Sequence, residues 1–178
     1  MKNYIVLFSK HYQKSSYPPM ITKPYILSDY GAEKTAALVS IFKRAILAID
    51  NKIYNIKQKH AWIGKRSLID WHQRFIQTQP IIAYLNHTPV GFIEFDRQTG
   101  HIDCFYVDPN YQHKGIGTAL FQHIYTLAKN NHLTALSATV SDTAYSFFLH
   151  HNFNAIERRH YQREEVSLLA TEMLLSLK

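Results

Sequence analysis

Six consecutive residues, Gln112-His113-Lys114-Gly115-Ile116-Gly117, carry the clearest chemical signal in the chain. They follow an apolar strand-like run that ends in Val107-Asp108-Pro109, and they open a run with helical spacing. Glycine lets a backbone approach a ligand closely and turn its N–H groups outward. The N–H groups from His113 to Thr118 would then stand at a helix start, where free donors and the helix dipole suit an anion such as a phosphate. Lys114 adds positive charge. The motif is not G-x-G-x-x-G, because Leu120 occupies the third glycine position, and no G-K-[ST] occurs, so neither a dinucleotide fold nor a P-loop is indicated. A tight strand-to-helix turn that binds nothing uses the same residues, so the loop alone leaves both readings open. A second group could move protons. His101 and Asp103 lie two apart on a strand-like run, so alternation puts them on one face, with Tyr106 on the other. A histidine titrating at about 6.5 suits a general base or the first link to a water chain. Asp103 can orient it or collect the proton. Glu94, on the neighbouring run, is a further candidate base, or else a solvated carboxylate.

These residues need elements to hold them. Residues 23–27 read as a strand, and Ser28 and Asp29 offer an N-cap for a helix whose face is Leu38, Ile41, Phe42, Ala45 and Ile49. Ser67 to Asp70 form a capping-box variant ahead of a helix bearing Leu68, Trp71 and Phe75. Three strand-like runs separated by turns, 80–85, 90–96 and 101–107, make a meander. A helix over 117–130, a strand over 135–140, a helix over 142–151 and two strands over 155–162 and 166–177 complete the chain. The order predicts an α/β (α+β) domain in which antiparallel pairs surround one parallel β-α-β unit. The only linker-like stretch is Lys14-Ser15-Ser16-Tyr17-Pro18-Pro19, so residues 1–19 read as an N-terminal extension, with Met20 a candidate start, and 20–178 as the domain.

At the Gln112–Gly117 loop the chain resembles the GNAT superfamily of acetyl-CoA-dependent N-acetyltransferases, which carries [QR]-x-x-G-x-[GA] there. Tyr106-Val107-Asp108-Pro109 resembles the family's preceding strand, Gly91-Phe92-Ile93-Glu94 its G-F strand, and Ser141-Asp142-Thr143-Ala144 to Phe153 its [NS]-x-x-A-x-x-[FL]-[YF]-x-x-x-G-F signature. The stretch from Tyr54 to Trp62 is similar to the acceptor-side helix of a bacterial branch. The likeness covers about residues 22–178. Two positions depart from it. Asn152 stands for the signature glycine, and asparagine is the next best residue for a left-handed helix end. Phe148 stands where many members carry a tyrosine general acid.

The resemblance implies a sheet of about seven strands, mostly antiparallel, and direct acetyl transfer from acetyl-CoA to a primary amine of a small molecule, peptide or protein. It implies that the backbone of Phe105, Tyr106 and Val107 pairs with pantetheine, that Gln112, His113, Lys114, Gly115, Ile116, Gly117 and Thr118 hold the phosphates, and that Ser141 and Phe148 border the other side. Tyr54, Trp62 and Trp71 would line the acceptor pocket, or else pack in the core. His101 and Asp103 sit where members place catalytic groups, and Tyr145, one turn before Phe148, can replace the missing acid. Cys104 is read as a small buried hydrophobe rather than a nucleophile, since the family transfers directly.

Composition sets outer limits. The sequence of 178 residues is long enough to bury a core without disulfides, and one cysteine excludes a disulfide framework and fits a reducing cytoplasm. No apolar run is long enough to span a bilayer, and no signal peptide is evident. Eleven histidines show no H-E-x-x-H or ligand spacing, so no metal is expected. The charge of +7 fits a phosphate-rich ligand. It also allows a nucleic-acid-associated protein, an expectation weakened by the lack of a dense Lys/Arg run. Phe148 leaves room for a third class, an acyl-CoA-binding module without turnover. A homodimer is compatible with the resemblance.

Overall fold

Two apolar faces on one sheet organise the molecule. The computed structural model describes residues 25–178, so the predicted extension 1–19 and the first residues of the predicted domain lie outside the described part. In chain order the elements are β1 (Tyr25–Ser28), α1 (Thr35–Leu47), α2 (Ile56–Ile63), α3 (Leu68–Thr78), β2 (Ile81–Leu85), β3 (Thr88–Phe95), β4 (His101–Val107), α4 (Ile116–Asn130), β5 (Ala135–Ser141), α5 (Tyr145–His150), β6 (Asn154–Arg163) and β7 (Val166–Ser176). The strands form one seven-stranded sheet in the order β1-β2-β3-β4-β5-β7-β6. All neighbours are antiparallel except β4 and β5, which are joined through α4 as the parallel β-α-β unit.

Alternating side chains fill a separate core on each face. Ile93, Phe105, Leu136, Ala138, Val140 and Met173 pack under α4 and α5 with Leu120, Ile124, Phe147 and Phe148. Ile82, Phe92, Cys104, Tyr106, Leu168 and Ala170 pack under α1, α2 and α3 with Leu38, Phe42, Trp62, Trp71 and Phe75. Among the described residues no helix is long and apolar enough to cross a membrane.

Two helix starts follow side-chain caps. Ser67 and Asp70 form the predicted capping box at α3, and Asn55 with Gln58 forms another at α2. The predicted cap at Ser28 or Asp29 is corrected: Ser28 ends β1, a turn of 3-10 helix over Ala32–Lys34 intervenes, and α1 starts at Thr35 without a side-chain cap. There the Tyr30 hydroxyl, Thr35 Oγ1 and His72 Nδ1 meet within hydrogen-bond distance and tie the start of α1 to α3. The Lys59 ammonium reaches back to the Leu47 carbonyl at 3.1 Å and to Asn51 Oδ1 at 2.7 Å, so α2 closes the C-terminal end of α1.

Candidate active site

Strand β4 changes register where chemistry was expected. Its pairing with β3 runs from Gly91↔Val107 to Glu94↔Cys104 and resumes at Phe95↔Ile102, which leaves Asp103 as the extra residue of a β-bulge. An extra residue reverses the alternation of side chains beyond it. Ile102 and Phe105 therefore face α4 and α5, while Cys104 and Tyr106 face α1–α3. His101 lines a cleft of about 1050 Å³ with Thr78, Glu94, Asp103 and Ser137, on the α3 side of the sheet. The structure thus keeps His101 and Asp103 on one face but corrects the placing of Tyr106, which shares that face because of the bulge.

The same bulge sits at the mouth of an opening. The parallel ladder between β4 and β5 consists of His101↔Ser137 and Ile102↔Ala138. Towards Val107 and Ser141 the two strands splay, while β5 remains paired to β7 through Ser141↔Ala170. A short turn over Pro109–Tyr111 then leads from β4 to α4. Asp108 fixes this crossing. Its Oδ1 accepts from the Asn110 N–H at 3.0 Å, its Oδ2 accepts from Arg44 Nε of α1 at 3.0 Å, and Gln112 Nε2 donates to the Val107 carbonyl at 3.2 Å.

Gly115 is the N-cap of α4, with φ +77, and no side chain caps this end. The left-handed turn suits glycine, and an added Cβ would meet nothing nearer than the Tyr25 hydroxyl at 3.9 Å. His113, Lys114 and Gly115 are exposed and Ile116 and Gly117 are buried, with Thr118 between. Lys114 folds back over the Tyr111 ring and donates to the Asn110 carbonyl at 3.2 Å. The arrangement leaves an open helix start beside the splay, a place with room and polarity for an anion.

Arg74 of α3 dominates the electrostatics on the α3 side. Its Nε donates to both Glu94 oxygens at 3.0 and 3.1 Å, and its Nη2 donates to Glu94 Oε2 at 2.8 Å and to Asp103 Oδ2. Glu94 is 1% exposed and also accepts from the Thr78 hydroxyl at 2.5 Å. The alternative of a solvated Glu94 is thereby corrected. Burial opposes the Arg74 charge, but Cys104, Glu94 and Asp103 outweigh it and hold the guanidinium protonated. Asp103 keeps one oxygen, Oδ1, buried and without a partner. His101 Nδ1 lies 3.0 Å from Ser137 Oγ across the ladder. Burial, then the Glu94 charge, push the Cys104 thiol well above its ordinary range.

The remaining expected residues are dispersed. Tyr54, Trp62 and Trp71 are buried in the core under α1–α3. The Tyr54 hydroxyl donates to the Leu169 carbonyl at 3.0 Å and accepts from the Asp142 N–H at 3.3 Å, and burial pushes its pKa up to about 12. Tyr106 is fully buried among Phe42 and Phe92, and burial pushes its hydroxyl up as well. Phe148 is fully buried against Phe105 and Phe153. The Ser141 hydroxyl lies 2.9 Å from that of Thr143. Tyr145 lines a cleft over β6 and β7 with Asp142, Ile156, Arg158 and Thr171, rather than the splay. Asn152 adopts φ +64, the left-handed turn expected of it. Among the described residues no group of three His, Cys, Asp or Glu side chains could hold a metal.

Sequence reasoning missed Arg74, although a signal existed. It lies on the same α3 stripe as Trp71, Phe75 and Thr78, and Glu94 interrupts the apolar run Gly91-Phe92-Ile93-Glu94-Phe95. Opposite charges buried on two apolar faces must find each other.

The comparisons with known proteins identify the fold and the family. A family model described as acetyltransferase (GNAT) domain matches residues 54–176. The uncharacterized N-acetyltransferase YafP of Escherichia coli K12 is 31% identical over 125 residues, spanning 68% of this chain and 76% of YafP. The crystal structure of a GCN5-related N-acetyltransferase from Rhodopseudomonas palustris superposes with a TM-score of 0.83 at 28% identity, covering 90% of this chain and 100% of that one. The structure of yncA from Salmonella typhimurium with acetyl-CoA has the same fold, with a TM-score of 0.66 at 18% identity over 87% of this chain and 95% of that one.

Proposed function

The chain belongs to the GNAT acetyltransferase family and is an acyltransferase, and on that premise we propose that it transfers an acetyl group from acetyl-CoA directly to a primary amine of a small molecule or peptide. The observation that carries this reading is the bulge at Asp103. It lies where the β4–β5 ladder ends, ahead of the splay and the uncapped start of α4, and one Asp103 carboxylate oxygen is buried without a hydrogen-bond partner.

Acetyl-CoA supplies the thioester. The N–H groups from His113 to Thr118 and the charge of Lys114 suit its phosphates, as the open glycine turn has the room and polarity they need. The structure of yncA, which has the same fold and was solved with acetyl-CoA, supports acetyl-CoA as the ligand. The β4 segment from Phe105 to Val107 guides the pantetheine arm, with Ser141 on the facing strand. Asp103 Oδ1 accepts a proton from the incoming ammonium, and the cleft lined by His101 and Ser137 passes it to water. The amine lone pair attacks the thioester carbonyl carbon, the C–S bond breaks, sulfur leaves as the CoA thiolate, and the second N–H proton follows to Asp103. A thiol with a pKa of about 8.5 leaves readily near neutrality, so the loss of a tyrosine at Phe148 does not stall the reaction. Glu94 holds Arg74, and Arg74 holds Asp103; both are positioning residues.

The test is the thermal midpoint with and without acetyl-CoA, for the wild type and Gly115→Asp, followed by release of CoA thiol with an amine panel. Ligand at a hundred times its Kd adds about 2.7 kcal/mol. A shift in the wild type that Gly115→Asp abolishes, with amine-dependent thiol release, supports the reading. A shift without amine-dependent release with any amine favours the acyl-CoA-binding module, and no shift overturns both.

A further inference from the structure

Across the splay from Asp103 stands a carboxylate that takes no part in the transfer step, Glu172 of β7. Thr139 Oγ1 of β5 donates to both of its oxygens, at 3.1 and 3.2 Å, and the Tyr161 hydroxyl of β6 donates to Oε1. Both donors are neutral. Among the described residues no Lys, Arg or His side chain is ion-paired with Glu172; Arg159, on the same face of β6, is paired with Glu157 instead. Glu157 itself stands directly opposite Glu172 in the ladder, where like charges repel. This corner of the sheet is one cation short.

The strand register fixes where Glu172 stands. Ala138 and Val140 of β5 and Met173 of β7 face α4 and α5, so Thr139 and its ladder partner Glu172 face the side of α1–α3. Asp103 is on that side too, held by Arg74 of α3. The last β4–β5 rung is Ile102↔Ala138, so Asp103 and Thr139 are the first residues beyond it, on opposite banks of the splay. Asp103 and Glu172 are two strand spacings apart, about 10 Å between their backbones. Ser137, which lines the cleft with Asp103, is the ladder partner of Leu174, so Glu172 is its diagonal neighbour at about 7–8 Å. The helices do not cover this end of the face: Leu168 and Ala170 are buried beneath them, Glu172 is half-buried and Leu174 is exposed.

We propose that the acceptor carries a second cationic group, of the aliphatic diamine class, with its reacting nitrogen at Asp103 and its other ammonium on Glu172. This inference rests on the acetyl-transfer reading and names the substrate class of that same site. A carboxylate has about four acceptor sites, so the two hydroxyl donors leave room on Glu172 for an ammonium. The charge-assisted hydrogen bond made there is one that a monoamine of the same length cannot make.

The experiment follows CoA thiol release from acetyl-CoA with putrescine and cadaverine, each beside the monoamine of the same chain length, n-butylamine and n-pentylamine. The expected result is a diamine whose kcat/KM exceeds that of its monoamine by about tenfold or more, beyond the statistical advantage of two equivalent nitrogens. Glu172→Gln keeps an acceptor for Thr139 and Tyr161 but removes the charge. It should lower the diamine-to-monoamine ratio by about tenfold, through the diamine's KM rather than its kcat, and Glu172→Asp should restore part of it. A retained acetyl-CoA thermal shift reports that each variant is folded. A panel in which no diamine outperforms its monoamine overturns the proposal, as does a Glu172→Gln variant whose ratio is unchanged. Turnover of monoamines with no preference for diamines removes this inference while leaving acetyl transfer intact, whereas absence of an acetyl-CoA-induced thermal shift in the wild type removes the underlying reading.

Discussion

Arg74 and Glu94 form a buried forked ion pair across the α3–β3 interface, with Nη2 to Oε2 at 2.8 Å and Nε to Oε1 at 3.0 Å. The Arg74 side chain is 14% exposed and that of Glu94 1%. Removing one partner strands the other charge in the core, which typically costs about 3–5 kcal/mol. Arg74→Ala should therefore lower the urea midpoint by that much free energy. Replacing both residues by apolar ones, Arg74→Met with Glu94→Leu, should cost far less than the two single changes summed. A double variant whose cost equals the sum of the two single costs would show that the two charges are not coupled and that the pair is not what holds α3 to β3.

Asp103 gives a prediction separable from stability. One of its oxygens is tied to Arg74 and the other is free, and its side chain is 25% exposed. Asp103→Asn keeps the shape but removes the basic oxygen, so kcat should fall by about 10²–10⁴. The acetyl-CoA thermal shift should persist, because Asp103 lies away from the helix start at Gly115. Loss of the shift along with activity would place Asp103 in cofactor binding instead.

How far these residues could be read in advance depends on their separation along the chain. His101 and Asp103 are close neighbours, and Gln112 to Gly117 is one run, so local spacing sufficed. The Ser67–Asp70 box and the Asn152 turn were likewise local and came out as expected. The bulge was not legible, because nothing in the His101–Val107 run distinguishes an even strand from one with an extra residue. Tyr106 was misplaced for that reason alone. Trp62 and Trp71 resemble pocket walls in sequence, but apolar burial draws large aromatics into the core when a layer is available to cover them. The Arg74 cluster joins residues 20 and 29 positions apart, and only the register of β3 on β4 brings them together.

Asn152 offers a test of backbone strain. It follows α5 with φ +64, and its N–H donates to the Leu149 carbonyl at 3.0 Å. A left-handed turn costs an L residue roughly 1–2 kcal/mol, less for asparagine and nothing for glycine. Asn152→Ala should destabilise by about 1 kcal/mol and Asn152→Gly should be neutral or slightly stabilising, read as denaturation midpoints. The reverse order would mean that the asparagine side chain, rather than its backbone, matters.

His151 sets a pH limit on stability. Its ring lies 4.4 Å from the centres of Phe121 and Phe147, and its Nε2 is buried without a partner. Burial, and then the nearby His150, lower its pKa from 6.5 to about 4. In the unfolded chain the ring binds a proton at its ordinary pKa, while the folded chain resists protonation until far lower pH. Below about 6.5 the unfolded state therefore holds more protons, and stability falls as pH drops through the interval down to about 4. The loss is bounded at about 3 kcal/mol, since each pKa unit is worth about 1.4 kcal/mol. His151→Phe keeps the aromatic packing and removes the titration. Urea melts at a series of pH values from 7 to 4 should show a shallower decline for the variant than for the wild type. Parallel declines would trace acid sensitivity to other groups.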